Sequence, residues 1–165
     1  MFVQARQDEI DAVWRIYADA VPHQNQIGVD HWDINYPTKD VIINDIAEQK
    51  CFVVHVNNVP ASVFRIDSEQ HPSYQDINWQ YGKPYICVHR LCVHPDAQGK
   101  GLAKGIMGHV ISTYKHEGYK AIRLDTYMGN WIALRLYEGL GFERRGIVHL
   151  HEDKDRCYMC LEFKL

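Results

Sequence analysis

Hydrophobic residues recur along the chain at two spacings, which predict four helices and seven strands. A repeat of three to four residues, typical of helices with one buried face, runs through residues 8–20, 38–48, 98–117 and 130–140. Apolar or alternating runs typical of strands cover residues 1–5, 51–56, 59–66, 85–93, 121–127, 142–150 and 156–165. The predicted order is therefore β-α-α-β-β-β-α-β-α-β-β.

Polar residues and glycines mark the ends of these elements. Thr38 and Asn130 stand where helix N-caps are expected, and Gly118 stands where a C-cap glycine is expected. The pair Asn57-Asn58 separates two strand patterns and predicts a hairpin, because Asn tolerates the left-handed conformation of tight turns. The central β-α-β unit implies a parallel strand pair, whereas the hairpins imply antiparallel pairs, so the sheet should be mixed. Two stretches show neither pattern: residues 22–37 and 67–84.

Length and charge narrow the classes of protein. A chain of 165 residues fits a single domain, which we place at residues 1–165. The net charge of −3 argues against a nucleic-acid partner. No apolar run approaches the ~20 residues that span a bilayer, so no membrane partner is expected. The first residues lead into an acidic helical pattern and do not resemble a signal peptide.

Five cysteines without an export signal indicate a reducing compartment, and we expect a cytoplasmic location. Cys157 and Cys160 form a C-x-x-C pattern. Because the surrounding residues alternate as in a strand, the two thiols should face opposite sides of the sheet. No second pair has ligand spacing, so we predict no metal site.

A short glycine-rich segment carries the main functional signal. The strand pattern ends at His94-Pro95, and the segment Gln98-Gly99-Lys100-Gly101-Leu102-Ala103 leads into a helix. A strand that feeds a glycine-rich turn and then a helix presents free backbone N–H groups at the positive end of the helix dipole. Such a turn suits a phosphate or pyrophosphate.

Two familiar phosphate loops do not match this segment. A Walker A loop needs Ser or Thr after its Lys, but Lys100 is followed by Gly101. A dinucleotide fingerprint needs G-x-G-x-x-G in the first β-α unit, whereas these glycines stand at 99, 101 and 105, past the middle of the chain. The alternative interpretation is an ordinary glycine-rich turn between a strand and a helix that binds no ligand.

The segment from Gln98 to Ala103, with Val93-x-Pro95 before it, resembles the acyl-CoA-binding loop of the GNAT acetyltransferase superfamily. A second signature follows, Asn130-x-x-Ala133-x-x-x-Tyr137-Glu138-x-x-Gly141-Phe142, which resembles the fourth-helix motif of that family. The order of elements is also similar over nearly the whole chain. One departure is Ala61, where the family often has glycine.

The resemblance implies an α/β (α+β) fold with a mixed, mainly antiparallel sheet of about seven strands. About four helices cover both faces, and two central parallel strands splay apart. It also implies acetyl-CoA as cosubstrate, bound between these two strands. The residues that it assigns to the cofactor are Leu91, Cys92, Val93, Gln98, Gly99, Lys100, Gly101, Leu102, Ala103 and Asn130.

The same resemblance gives Tyr137 the role of general acid toward the departing thiolate. Asn130 and Tyr137 are seven residues apart, which places them on one helix face two turns apart. Backbone N–H groups near residues 91–93 are the candidates for stabilising the negative charge that develops on the carbonyl oxygen. Without the motif, Tyr137 would be interpreted as an aromatic residue that packs on the sheet.

The attacking amine must lose a proton, and His89 is the best candidate base by position and type. Water is the alternative, with His89 then a hydrogen-bonded core residue. Strand alternation places Cys87 and His89 on one face and Arg90 on the other, unless a bulge intervenes. Cys92 is expected near the thioester, so a covalent route through its thiol is an alternative. The family generally uses direct attack by the amine in a ternary complex, and we expect the same here.

The acceptor should lie opposite the cofactor, beside residues 22–37 and 67–84. Four aromatic residues there are candidates for a wall that also holds a cation: Trp32, Tyr36, Trp79 and Tyr127. Asp33 and Asp125 are further candidates, as groups that attract an amine.

These residues favour an N-acetyltransferase that acts on a primary amine of a small molecule or peptide. A homodimer is one assembly compatible with this reading. The alternative is a non-catalytic CoA-binding regulatory module of the same fold, because a fold does not determine function.

Overall fold

The computed structural model describes residues 1–33, 35–150 and 153–165. Four α-helices occur in this described part: α1 (Ile10–Gln26), α2 (Lys39–Ala47), α3 (Leu102–His116) and α4 (Trp131–Leu140). The strands are β1 (Val3–Gln4), β2 (Cys51–Val56), β3 (Val59–Asp67), β4 (Tyr85–Val93), β5 (Ala121–Tyr127), β6 (Glu143–Leu150) and β7 (Asp153–Lys164). Within the same residues, no helix is long and apolar enough to cross a membrane.

The strands that the structure describes form one seven-stranded sheet in the order β1-β2-β3-β4-β5-β7-β6. β4 and β5 run parallel, with Tyr85 opposite Ala121 and Cys87 opposite Arg123. The pairs β1–β2, β2–β3, β5–β7 and β6–β7 are antiparallel. The predicted mixed sheet and four helices are therefore confirmed.

The chain divides into two compact units, and β4 passes from one to the other. The first unit comprises residues 1–66 and 89–107. Its core lies between the apolar stripes of α1 and α2 and the inner faces of the strands, and includes Val13, Ile16, Tyr17, Ile42, Val53 and Val63. The second unit comprises residues 67–88 and 108–165. One of its clusters contains Tyr74, Val148, Tyr158 and Cys160.

Most predicted boundaries agree with the structure. The side chain of Thr38 accepts a hydrogen bond from the Val41 N–H and caps α2. Asn57 and Asn58 have φ of 52° and 63°, as the hairpin requires. Gly118 follows α3 with φ of 83°, the left-handed conformation expected there.

Three boundaries were predicted wrongly. α1 continues through Pro22 to Gln26 instead of ending near residue 20; Pro22 is exposed, so water can replace the backbone donor that proline lacks. α3 begins at Leu102 and not at Gln98, because Gly99 and Gly101 have positive φ. β7 begins at Asp153, three residues before the predicted start of this strand at residue 156; residues 151 and 152 lie outside the described part.

Candidate active site

The segment between β4 and α3 is held in shape by its own side chains. The Nδ1 atom of His94 accepts a hydrogen bond from the Asp96 N–H at 3.3 Å, which begins a 3₁₀ turn at Pro95–Ala97. Gln98 Nε2 donates to the Val93 carbonyl at 2.8 Å. Lys100 Nζ donates to the Asp96 carbonyl at 2.8 Å. Gln98 and Lys100, both predicted to bind the cofactor, therefore brace the loop, and Lys100 also keeps a positive charge on it.

Among the described residues, no side chain accepts a hydrogen bond from the first N–H groups of α3. The first backbone bond of the helix runs from the Gly105 N–H to the Gly101 carbonyl, so the N–H groups of residues 102–104 precede the helical hydrogen bonds. In α2 and α4 the side chains of Thr38 and Asn130 cap the corresponding groups. Gly101 stands in that position before α3 and has no side chain. The structure thus leaves N–H donors at the positive end of the α3 dipole, where an anion is stabilised.

Glycine is required at two positions of this loop. Gly99 has φ of 72° and Gly101 has φ of 77°, conformations that residues with a Cβ rarely adopt. A Cβ at either position would meet no heavy atom within 4 Å. The space over both glycines is therefore open to a ligand. A cleft of about 600 Å³ borders the same loop, between the β2–β3 hairpin and residues 94–105.

A left-handed residue, Arg90, interrupts the regular geometry of β4 directly before the predicted cofactor strand, and we call this distortion the Arg90 bulge. Arg90 has φ of 52°, so the strand does not alternate there as the simple pattern predicted. The carbonyl of Arg90 accepts a hydrogen bond from the Tyr17 hydroxyl at 2.8 Å. Its guanidinium binds the buried carboxylate of Asp45 and donates to the Tyr36 hydroxyl at 3.2 Å. His89 is half-buried on β4 next to this bulge, and its role as base stays a prediction.

Cys92 is poorly suited to covalent catalysis. Its side chain is 2% exposed, and burial raises the pKa of its thiol well above the usual value. Its Sγ atom lies 4.0 Å from the carbonyl of Ile16, a weak contact with backbone. A thiol that is buried and protonated is a poor nucleophile. The burial of Cys92 therefore argues against a covalent route through this thiol.

The second unit contains the other motif residues. The Oδ1 atom of Asn130 accepts a hydrogen bond from the Ala133 N–H at 3.1 Å and caps α4. Tyr137 is buried two turns further on, and its ring packs on Phe142 with centroids 5.6 Å apart. Burial, followed by the negative charge of Asp125, raises the pKa of the Tyr137 phenol. The phenol thus remains protonated at neutral pH, as a proton donor must.

The four aromatic residues proposed for the acceptor differ in their surroundings. Trp32 is only 8% exposed and packs edge-on against Tyr17 in the core, which leaves little of its ring for an acceptor. Trp32 packs inside because α1 offers an apolar face there, and its role at the acceptor stays a prediction. Tyr36 is 38% exposed and its hydroxyl accepts a hydrogen bond from Arg90, and it remains a candidate for contact with the acceptor.

Trp79 and Tyr127 belong to the second unit. The guanidinium of Arg123 stacks on Trp79 at 4.6 Å from the ring centroid, so that face already holds a cation from the chain itself. Tyr127 packs against Tyr158, with centroids 6.0 Å apart. The two candidate carboxylates also have hydrogen-bond partners within the chain: Asp33 accepts from the Asn35 N–H, and Asp125 accepts from the Tyr74 hydroxyl.

Two sets of buried charges escaped the sequence analysis. Asp45 lies on the buried stripe of α2, three residues after Ile42, and binds both Arg65 and Arg90. Glu162 is fully buried in the second unit, where it accepts from Arg123 at 3.1 Å and Arg145 at 2.8 Å. An acidic residue at an apolar position of the pattern is the signal that would have revealed Asp45.

The cysteines show no arrangement suited to a metal. All five are free thiols, and Cys160 is buried whereas Cys157 is partly exposed with its Sγ 3.9 Å from His149 Nε2. Within the described ranges, no three His, Cys, Asp or Glu side chains come together as metal ligands.

Comparison with known proteins identifies a family for this chain. Residues 11–142 match the sequence model of the Acetyltransferase (GNAT) family. N-acetyltransferase family 8 member 2 of Rattus norvegicus is 31% identical over 65 residues, which are 39% of this chain and 29% of that protein. The match thus spans less than a third of this relative's length.

Solved structures share the fold over the whole chain. An acetyltransferase of the GNAT family from Streptococcus agalactiae 2603 superposes with a TM-score of 0.87 at 22% identity, covering 100% of this chain and 95% of that one. The yncA protein from Salmonella typhimurium, solved with its cofactor acetyl-CoA, gives a TM-score of 0.69 at 18% identity and covers 100% and 93% of the two chains. At these identities the structures show the fold alone.

Proposed function

Because the chain belongs to the GNAT acetyltransferase family, we propose that it transfers acetyl from acetyl-CoA to a primary amine of a small molecule or peptide. The observation that carries this proposal is the uncapped start of α3. Two glycines with positive φ precede it, and within the part of the chain that the structure describes no side chain accepts a hydrogen bond from its first N–H groups. Such a turn binds a pyrophosphate without further groups, and acetyl-CoA contains one.

Residues 98–103 bind the pyrophosphate through backbone N–H groups. Lys100 adds a positive charge, and Gln98 keeps the loop attached to the end of β4. The N–H groups of Leu91 to Val93 supply hydrogen bonds to the thioester carbonyl as it gains negative charge. Asn130 holds the start of α4 in place, and the family motif assigns it to the cofactor.

The reaction is a direct displacement at the thioester carbon. The amine nitrogen attacks the carbonyl carbon, the C–S bond breaks, and the electron pair goes to sulfur. Tyr137 donates the proton that the departing thiolate takes up, and the amine gives one proton to His89 or to water. The products are the amide and CoA, and no covalent enzyme intermediate is needed.

The first experiment separates binding from catalysis. Isothermal titration with acetyl-CoA tests the loop, and release of free thiol from acetyl-CoA in the presence of a panel of primary amines tests transfer. We expect binding in the titration and amine-dependent thiol release. Binding without release by any amine would favour the non-catalytic CoA-binding module, and failure to bind would contradict the proposal altogether.

A second experiment tests the base. If His89 accepts the amine proton, His89→Gln should lower the rate by ~10²–10⁴-fold, the usual contribution of a general base. It should also remove the acidic limb from the pH–rate profile. An unchanged profile in the folded variant would assign proton removal to water.

A further inference from the structure

The backbone conformation of Arg90 is unusual for its residue type. Its φ of 52° lies in the left-handed region, inside a strand and at a residue with a long side chain. Conformations of this kind persist only where the surroundings enforce them, and they concentrate at functional sites. The contacts around Arg90 therefore indicate what the bulge does.

Tyr17 of α1 controls the peptide that joins Arg90 to Leu91. The Tyr17 hydroxyl donates to the Arg90 carbonyl at 2.8 Å, and the phenol ring is fixed by edge-on packing with Trp32 at 5.5 Å between centroids. In a trans peptide the C=O and the following N–H point in opposite directions. Because Tyr17 holds the Arg90 carbonyl toward α1, the N–H of Leu91 must point away from α1.

Asp45 of α2 holds the side chain of the same residue. Its carboxylate binds the Arg90 guanidinium through one oxygen and accepts from Arg65 through the other at 2.5 Å. Asp45 is buried, so this ion pair is shielded from water and screened less than a surface pair. Arg90 is therefore held at both its carbonyl and its guanidinium, by two different helices.

We propose that Tyr17 and Asp45 are positioning residues, which hold the Arg90 bulge so that the Leu91 N–H stays aimed at the thioester carbonyl of acetyl-CoA. This inference rests on the proposed function. Neither residue touches the reacting atoms; each acts through Arg90. The bulge removes the Leu91 N–H from regular strand geometry, and the Tyr17 hydroxyl sets the direction in which that donor points. A donor fixed before the reaction stabilises the developing oxyanion without reorganisation.

The test compares Tyr17→Phe with the parent and with Tyr114→Phe, a control that removes a half-buried phenol hydroxyl of α3. The probe is acetyl-CoA with a ¹³C carbonyl, whose stretching frequency falls when the carbonyl accepts a hydrogen bond. We expect the bound frequency to fall in the parent and in Tyr114→Phe, and to fall less in Tyr17→Phe. The affinity for CoA, which lacks the acetyl carbonyl, should be equal in all three proteins.

Kinetics with an amine found in the panel provide the second measurement. Tyr17→Phe should lower kcat by about tenfold or more, with little change in the KM for acetyl-CoA. This loss should be smaller than the ~10²–10³-fold loss of kcat that follows when an oxyanion donor is removed. Asp45→Asn, which keeps the side-chain shape, should act in the same direction and is decisive if Tyr17→Phe does not fold. A parent that fails to bind acetyl-CoA would contradict the proposed function. A parent that binds, with an unchanged carbonyl frequency in the folded variant, would overturn the positioning inference alone.

Discussion

Replacing Gly101 with Asp is the most direct perturbation of the candidate cofactor loop. Gly101 has φ of 77°, and a Cβ there meets no atom within 4 Å, so the substitution causes backbone strain but no collision. Left-handed conformation costs a residue with a Cβ about 1–2 kcal/mol. The folded protein should therefore lose about that much stability in both Gly101→Asp and Gly101→Ala.

The charge of Asp should make the affinity for acetyl-CoA lower in Gly101→Asp than in Gly101→Ala. Two unit charges about 4 Å apart repel by about 1 kcal/mol in water, which is the appropriate medium because Gly101 is exposed. A pyrophosphate carries two such charges, so the carboxylate should weaken binding by about 2 kcal/mol, roughly 30-fold. Raising the salt concentration should reduce this difference, because exposed charges are screened.

Isothermal titration of acetyl-CoA into the parent, Gly101→Ala and Gly101→Asp measures the effect. Gly108→Asp is the charge control, since Gly108 is an exposed glycine further along α3 with open space around it. It should bind acetyl-CoA nearly as the parent does. Equal affinities for Gly101→Asp and Gly101→Ala, with both variants folded, would refute the assignment of the pyrophosphate to this loop.

Three further predictions concern other residues. Tyr137→Phe keeps the ring and removes the hydroxyl, so steady-state kinetics should show lower turnover and direct titration an almost unchanged affinity for acetyl-CoA; full turnover would exclude Tyr137 from the mechanism. The pKa of Glu9 is lowered in the folded protein, because hydrogen bonds from Arg6 and His55 outweigh its burial. This stabilisation is present above the unfolded pKa near 4.5 and is lost as the pH falls through the folded value, so denaturant unfolding of Glu9→Gln should depend less on pH in the acid range than that of the parent. Among the five cysteines, all within the described residues, four are at most 2% exposed, so native alkylation should label one thiol and Cys157→Ser should remove that label; labelling of a second thiol in the folded protein would show that the core opens.

Local chemistry explains which parts of the structure could be predicted. Some features depend only on residues within three positions of one another, so the sequence alone predicts them. They are the helix caps at Thr38 and Asn130 and the turn at Asn57-Asn58. The same holds for Gly99 and Gly101, whose positive φ follows from a tight turn between a strand and a helix. The end of α1 could not be predicted in this way, because Pro22 argues locally against the helix that the structure contains.

The sequence by itself determined the order of elements, the position of the glycine-rich loop and the two family motifs, because each depends on neighbours in the chain. Only the tertiary structure decided how Arg90 is held. Tyr17 and Asp45 reach it from 73 and 45 positions away, and no local pattern records such contacts. Burial likewise limits what Cys92 and Trp32 can contact, since both lie in the core that α1 helps to form. The sequence identifies a thiol or an indole, but the reactivity and accessibility of that group depend on how much water and which neighbouring groups surround it after folding.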